Sequence, residues 1–357
     1  DMLGHELLKI AYGVWDFIKN HPDGRGHKWE LEWIGALPGK RENVRYVGDH
    51  ILTQNDVEAC GRFDDVVCHG GWSMDDHFPK AFHHDGPPTI FHPAPSPYGI
   101  PYRCLYSRNI TNLFCAGRNI SCTHMAMSST RVMATCATMG QAVGTAAALA
   151  VRHGTTPRGV YQRHLRELQR TLIEDDQYLP GRIRPLPVAS RDGALTSSHG
   201  DPAALRDGID RRLKGDDHWF HLPVGGWLEQ RFACVQTLGR LRLIGDSQLH
   251  KQKRMACSYP LKGHASTVPD TLVKDLLVEV DRGDGRWESV AEIRTNRRRL
   301  IVLPLEGSGI AVRVTVLGTW GDPAATFFAC DAGTVAIDDE IPVTEWPAMP
   351  VAAHAPA

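Results

Sequence analysis

The chain has almost no surplus charge: 40 Lys and Arg stand against 41 Asp and Glu, a formal −1. Nucleic acid and anionic membranes recruit proteins through clustered positive charge, so neither is expected as a partner. The basic run Arg297-Arg298-Arg299 is flanked by strand-like sequence and reads as a solvated turn. Nine cysteines occur without a CxxC pair or regular spacing. That excludes a disulfide framework and predicts mostly free, partly buried thiols, with Cys115, Cys122 and Cys136 as small apolar fillers. A long uninterrupted apolar run is also missing. Residues 132–151 come nearest, but Thr135, Thr138, Gly140, Gln141, Gly144 and Thr145 interrupt them and Arg131 abuts them. This is too polar for the ~20 mostly apolar residues of a membrane span. Residues 2–18 carry Glu6, Lys9 and Asp16 and lack the layout of a signal peptide. The chain opens at Asp1, and the expectation is that it begins within a longer protein, which leaves the compartment open.

What is present is ordinary for a globular protein: 357 residues, 42% apolar and 23% charged, enough for two or three domains. Leu7, Leu8, Ala11, Val14, Trp15 and Ile18 fall on one face of a helix over 4–19, stopped by Asn20-His21-Pro22-Asp23-Gly24. Strands are predicted over 31–37, 44–52 and 63–69, a short helix near Asp56, and a Pro- and His-rich loop over 78–99. Val160, Leu165, Leu168 and Leu172 mark a further helix over 157–173. Residues 178–191 hold Pro180, Gly181, Pro185 and Pro187, which is linker chemistry. Beyond them the pattern changes to short strands at 227–233, 240–245, 274–281, 286–293, 299–305 and 309–317, the spacing of an antiparallel sandwich.

The most informative stretch is 112–150. Asn112-Leu113-Phe114-Cys115-Ala116 reads as a strand running into Gly117, and Arg118 to Thr130 as a polar loop. Ser128, Ser129 or Thr130 is predicted to cap the long helix that follows. On that helix Gly140 and Gly144 lie four apart, with Ala137, Ala147 and Ala148 nearby. Small residues at this spacing strip one face of side chains, so the backbone can approach a sheet or a flat ring. The same pattern also suits a buried helix with no ligand.

The strings Asn112 to Ser121, Thr123-His124, Ser129-Thr130-Arg131-Val132-Met133, Gly140-Gln141-Ala142 and Gly144-Thr145-Ala146-Ala147 closely resemble the C-terminal flavin motif of bacterial FAD-dependent oxidoreductases, some of which carry the label xanthan lyase. Further resemblance lies in Gly39-Lys40-Arg41-Glu42 with Arg45 and Gly48, Ile51 to Asp56, Gly70 to Asp75, and Tyr98 to Arg103, so that it covers about 1–175. It implies an α/β domain, a partial FAD/NAD(P)-binding fold, over 1–177. It implies FAD as cofactor, with Ala116, Gly117, Arg118, Asn119, Thr130, Gly140, Gln141 and Gly144 against it. The family also implies a GxGxxG turn after a first strand, to cradle the pyrophosphate. Gly24-Arg25-Gly26 sits in a loop without the third glycine, so the phosphate end would belong to another segment or subunit.

His124, just before the long helix, is the expected base for a substrate hydroxyl, with Arg131 as a ligand for a substrate oxygen or the flavin. His77, after Trp72 and Asp75-Asp76, is a second candidate. Asp75 and Asp76 are adjacent on an extended segment and point to opposite faces. Tyr102 and Arg103 either line the pocket or serve structure, and Arg41, Glu42 and Arg45 suggest an ion-pair cluster. His69, His77, His83, His84 and His92 match no metal-ligand spacing, so no metal is expected.

Residues 192–336 resemble a galactose-binding-like, discoidin-type sandwich, on Asp207-Gly208, Trp219, Trp227-Leu228-Glu229 and the alternating runs at 241–244 and 311–316. Such modules often bind glycans, and Trp219, Trp287 and Trp320 are candidate platforms. Asp246-Ser247-Gln248-Leu249-His250-Lys251 is a candidate ligand or interdomain loop, and 337–357 a Pro/Ala-rich tail. Two functions compete. One is an FAD-dependent oxidoreductase fragment or subunit that takes hydride from a carbon–oxygen centre of a small-molecule or carbohydrate substrate. The other is a non-catalytic glycan-binding accessory protein.

Overall fold

The structure is a computed structural model that describes residues 2–37, 39, 44–78, 80, 83–213, 218–249, 268–333 and 340–344. Arg41, Glu42, His250, Lys251 and the tail beyond Thr344 lie outside the described residues. Two compact units are present, 1–45 and 46–357.

In the first unit, helix α1 (Met2–Lys19) carries the predicted apolar spacing. Past its end the chain turns at Gly26, where a side chain would collide with the Ile18 carbonyl oxygen, and Lys19 Nζ donates to the Trp29 carbonyl at 2.9 Å. Residues 31–37, predicted as a strand, are coil, because no segment among the described residues pairs with them.

The second unit begins in coil. The strand expected over 44–52 reduces to one parallel bridge, Leu52 to Cys122. Thr53 then caps the short helix α2 (Gln54–Glu58), with Asp56 returning the favour from N3 in a capping box. Strand β1 (Val66–Gly70) is almost fully buried, and β2 (Met74–His77) follows it. The segment predicted as loop supplies β3 (Thr89–His92), paired with β2, whereas β4 (Tyr98–Pro101), paired with β1, falls at the start of the strand expected over Gly99 to Leu105.

The expected strand at 112–116 is not one. Its backbone bonds only to the segment just before it: Ser107 N donates to the Leu113 carbonyl, and Cys115 N to that of Leu105. The loop expected from Arg118 to Thr130 instead contains a helix, α3 (His124–Thr130), because Thr123 takes the N-cap position and accepts from Ala126 N. The long helix α4 (Met133–Arg152) starts after Val132 with no side-chain cap. Ser129, one of the predicted caps, is buried and bonded to the Tyr98 hydroxyl at 2.6 Å and the Trp72 carbonyl.

Helix α4 buries Met139, Ala142, Ala146 and Leu149 in a core with Val66, Ile100, Val160 and Leu168. By length and composition it is long and apolar enough to cross a bilayer, a test that a buried core helix also passes. The helix predicted over 157–173 breaks at His164 into α5 (Pro157–Arg163) and α6 (Leu165–Glu174).

The Pro-rich run after α6 is packed rather than loose: Arg184 is 2% exposed, and Ile183 N bonds to the Pro342 carbonyl. Helix α7 (Val188–Asp192) leads into seven strands: β5 (Ala194–Ser197), β6 (Phe220–Pro223), β7 (Trp227–Gly245), β8 (Val273–Asp281), β9 (Trp287–Ile293), β10 (Leu300–Thr319) and β11 (Ala324–Ala332). The order is β6-β11-β7-β10-β8-β9, with β5 also on β7 and every pair antiparallel. The two pairs of strands expected at 227–245 and 299–317 are single bent strands. Gly239 and Gly307, between the predicted segments, take positive φ inside them, and the register shifts near Gly307 and Gly309. Strand β11 escaped the sequence reading because all but its first residue are buried, which removes the alternation that marks a half-buried strand. Leu228, Leu243, Val278, Val314 and Phe327 form the core of this β-sandwich. An α/β part followed by an all-β sandwich is the fold class expected.

Candidate functional site

The structure gathers the three candidate reactive residues around β2. Asp75 and Asp76 face opposite ways, as the pleat requires, and each meets a different partner. His124, the first residue of α3, places Nε2 3.0 Å from Asp76 Oδ1. Arg131, at the end of the same helix, donates from Nη2 to the Asp75 carbonyl at 3.0 Å and reaches its carboxylate at 3.4 Å. His77 Nε2 lies 3.5 Å from the same Asp75 carboxylate, while its Nδ1 pairs with the Thr89 hydroxyl at 2.8 Å. His124 is 45% exposed and Arg131 only 9%, so solvent reaches the histidine and the arginine is held. With Nε2–H donated to Asp76, the lone pair of a neutral His124 ring falls on Nδ1.

The cofactor candidates fall in two groups. Ala116, Gly117, Arg118 and Asn119 form the turn ahead of α3, where Gly117 has φ +91° and a methyl group added there would meet nothing within 4 Å. The Arg118 guanidinium lies close enough to Cys136, in the first turns of α4, to lower its thiol, although burial outweighs it and the thiol is pushed up. The turn and the start of α4 therefore share one end. Gly140, Gln141 and Gly144 form an exposed stripe along α4, and neither glycine has anything within 4 Å of an added methyl. Thr130 differs from the other seven in being fully buried.

An open positive-φ turn and two exposed glycines in the middle of α4 leave the room that the ring end of a flavin requires. They do not fit its phosphate end, since Gly24 and Gly26 lie in a turn after a helix rather than after a strand.

A cleft of about 660 Å³ opens beside this face. Gln141 and Thr138 of α4 line one side, with His69 and Trp72; Tyr178 and Arg212 line another. His69 donates from Nδ1 to the Tyr178 carbonyl at 3.0 Å, and burial with the nearby Arg211 charge drops its pKa to about 4. The polar loop after β7 also reaches the cleft, through Leu249. Its Asp246 is buried and bonded to Gln248 N and the Thr271 hydroxyl.

Other candidates are engaged elsewhere. Tyr102 is buried and donates to the Pro157 carbonyl, and Arg103 forms a two-point bridge with buried Asp65. Arg299, expected in a solvated turn, is held by Asp176 at 2.7 Å and the Gly245 carbonyl at 3.1 Å. Trp219, Trp287 and Trp320 are half-buried, and each has a cation on its ring: Arg212 at 3.9 Å, Arg313 at 3.9 Å and Arg297 at 5.2 Å respectively. The eight described cysteines are all free. Sequence reasoning missed the pairings of Asp75 and Asp76, whose partners stand 56 and 48 residues away.

Residues 4–172 match the model of the FAD dependent oxidoreductase family, the span that contains both the β2–α3 cluster and the open face of α4. No curated protein matches the chain. The sandwich is similar to solved family 32 carbohydrate-binding modules. That of Streptococcus pneumoniae EndoD is 14% identical, covering 43% of this chain and 99% of the module, with a TM-score of 0.31. That of Clostridium perfringens NanJ, solved with galactose, is 9% identical over 41% of this chain and 97% of the module, at 0.28. A chitosan-binding module from Paenibacillus is 14% identical over 40% and 96%, also at 0.28.

Proposed function

We propose that this chain carries the ring-facing half of the flavin site in an FAD dependent oxidoreductase acting on a carbon–oxygen centre of a carbohydrate-like substrate. The observation behind it is the open glycine face of α4 beside the Gly117 turn, within the span that matches the family. FAD, when bound, supplies the hydride acceptor. The glycines of the turn and of α4 hold the ring by close backbone approach. His124 takes the substrate hydroxyl proton at Nδ1, with Asp76 holding the tautomer that leaves Nδ1 basic. Arg131, anchored by Asp75, and His77 orient the substrate oxygen. In the neighbouring cleft Trp72 and Tyr178 offer aromatic faces and Gln141 and Arg212 hydrogen bonds to a sugar-like substrate, although His124, Arg131 and His77 are not among the residues that line it. In this reading 1–177 is the oxidoreductase part, 178–191 the connection, 192–336 a glycan-binding module and 337–357 a tail.

The chain alone is expected to bind FAD weakly, and to turn yellow once a βαβ unit with a GxGxxG turn is joined upstream. In that form His124→Ala should slow reduction by substrate about 10²–10⁴-fold with the visible spectrum unchanged. Protein that stays colourless in both forms yet retains glycans would favour the accessory reading instead.

A further inference from the structure

We propose that His153, His164 and Glu167 form a binding site for one divalent transition-metal ion of the zinc class, where α4 ends and α5 turns into α6. The three residues come from separate places. His153 caps the C-terminus of α4, His164 is the break between α5 and α6, and Glu167 lies in the first turn of α6. Their ligand atoms all lie within 4.8 Å of one another. Glu167 Oε2 stands 2.8 Å from His153 Nε2 and 3.6 Å from His164 Nδ1. A tetrahedral ion with bonds of about 2.0–2.1 Å holds its donors roughly 3.3 Å apart, so the two separations bracket the required spacing.

The donor set selects the ion. Two imidazoles and one carboxylate suit Zn²⁺, Cu²⁺, Ni²⁺ or Co²⁺, whereas Mg²⁺ and Ca²⁺ prefer all-oxygen shells. Three protein ligands leave a fourth position for water. The carboxylate is also oriented from behind, since Arg152 Nη1 lies 3.4 Å from Glu167 Oε1. The side chains are between 17% and 29% exposed, so they are held in place and remain reachable from solvent.

Binding asks for one adjustment. The two imidazoles are stacked, centroids 3.9 Å apart and planes 9° from parallel, so their in-plane lone pairs do not yet converge. A turn of the His164 ring about Cβ–Cγ brings its nitrogen towards the ion that replaces the His153–Glu167 hydrogen bond. No short sequence spacing announces this set, because the fold itself brings 153 next to 164 and 167.

The test is calorimetric titration of untagged, metal-stripped protein with Zn²⁺, and separately with Mg²⁺ and Ca²⁺. The expected result is one Zn²⁺ per chain, no comparable uptake of the other two, and affinity at least ~10-fold lower in His164→Ala and in Glu167→Gln. Glu167→Gln keeps an acceptor for His153, and its circular dichroism and melting temperature report that the fold is intact. His92→Ala, on β3, should leave affinity unchanged. Zn²⁺ that does not bind, or binds equally to wild type and both variants, overturns the proposal and leaves an ordinary His–Glu pair.

Discussion

At the residue scale, what a side chain does here is decided by partners far away in the chain. His124 and Arg131 were legible as candidates because they flank a small-residue helix. Their carboxylate partners were not, since adjacent Asp75 and Asp76 reveal nothing until α3 packs on β2. His69 shows the same limit: the sequence offers it only as one of several histidines, whereas the fold encloses it beside Arg211 and lowers its pKa from 6.5 to about 4. The unfolded chain therefore binds more protons between those values. The stability His69 contributes is full above pH 6.5 and is lost as the pH falls towards 4. Between pH 7 and pH 5 this loss should reach about 2 kcal/mol. Urea unfolding at the two pH values checks it: His69→Gln, which keeps a donor for the Tyr178 carbonyl, should flatten the pH dependence by about that amount.

At the scale of elements, periodicity found α1, the body of α4 and most of the sandwich strands. It failed where turn chemistry and strand interior look alike. The gaps left at 234–239 and 306–308 are spanned by continuous strands that pass through Gly239 and Gly307, and β11 was too uniformly buried to show a period. Helix α4 gives a sharper lesson, because its glycines lie open rather than packed. Gly in a helix interior costs roughly 0.5–1 kcal/mol relative to Ala. Since an added methyl at Gly140 or Gly144 meets nothing within 4 Å, Gly140→Ala should raise stability by about that amount, seen as a higher melting temperature. Gly140→Leu should also fold, but in the FAD-competent form it should weaken FAD binding ~10-fold or more, because a branched side chain takes the space the ring needs. Equal FAD affinity in Gly140→Leu and wild type would move the cofactor away from this face.

At the scale of the whole molecule, composition foretold two kinds of architecture but not what joins them within residues 46–344. Arginine in a strand pattern reads as a solvent-facing residue, yet Arg242 of β7 is fully buried. It donates to the Ile173 and Glu174 carbonyls at the C-terminus of α6, at 3.2–3.3 Å, and meets Asp210 Oδ2 at 3.2 Å. Arg184, equally buried, takes the same Asp210 oxygen at 2.8 Å and Asp331 at 3.0 Å, and its positive charge, with that of Arg242, holds the Asp210 carboxyl below its usual range. These ties couple the helical part to the sheet. Removing one partner of a buried ion pair strands the other in low dielectric, a loss of about 3–5 kcal/mol. Arg242→Ala should therefore lower stability by that order and split urea unfolding into two transitions, the helical part and the sheet no longer melting together. Arg294→Ala, which breaks the exposed pair with Glu292, should cost under about 1 kcal/mol and keep whatever transition wild type shows. Far-ultraviolet circular dichroism weights the helices, and amide hydrogen exchange in β7 and β10 follows the sheet. Coincident curves for Arg242→Ala by the two probes would mean that the ionic cluster only fills the junction and that other contacts couple the two parts.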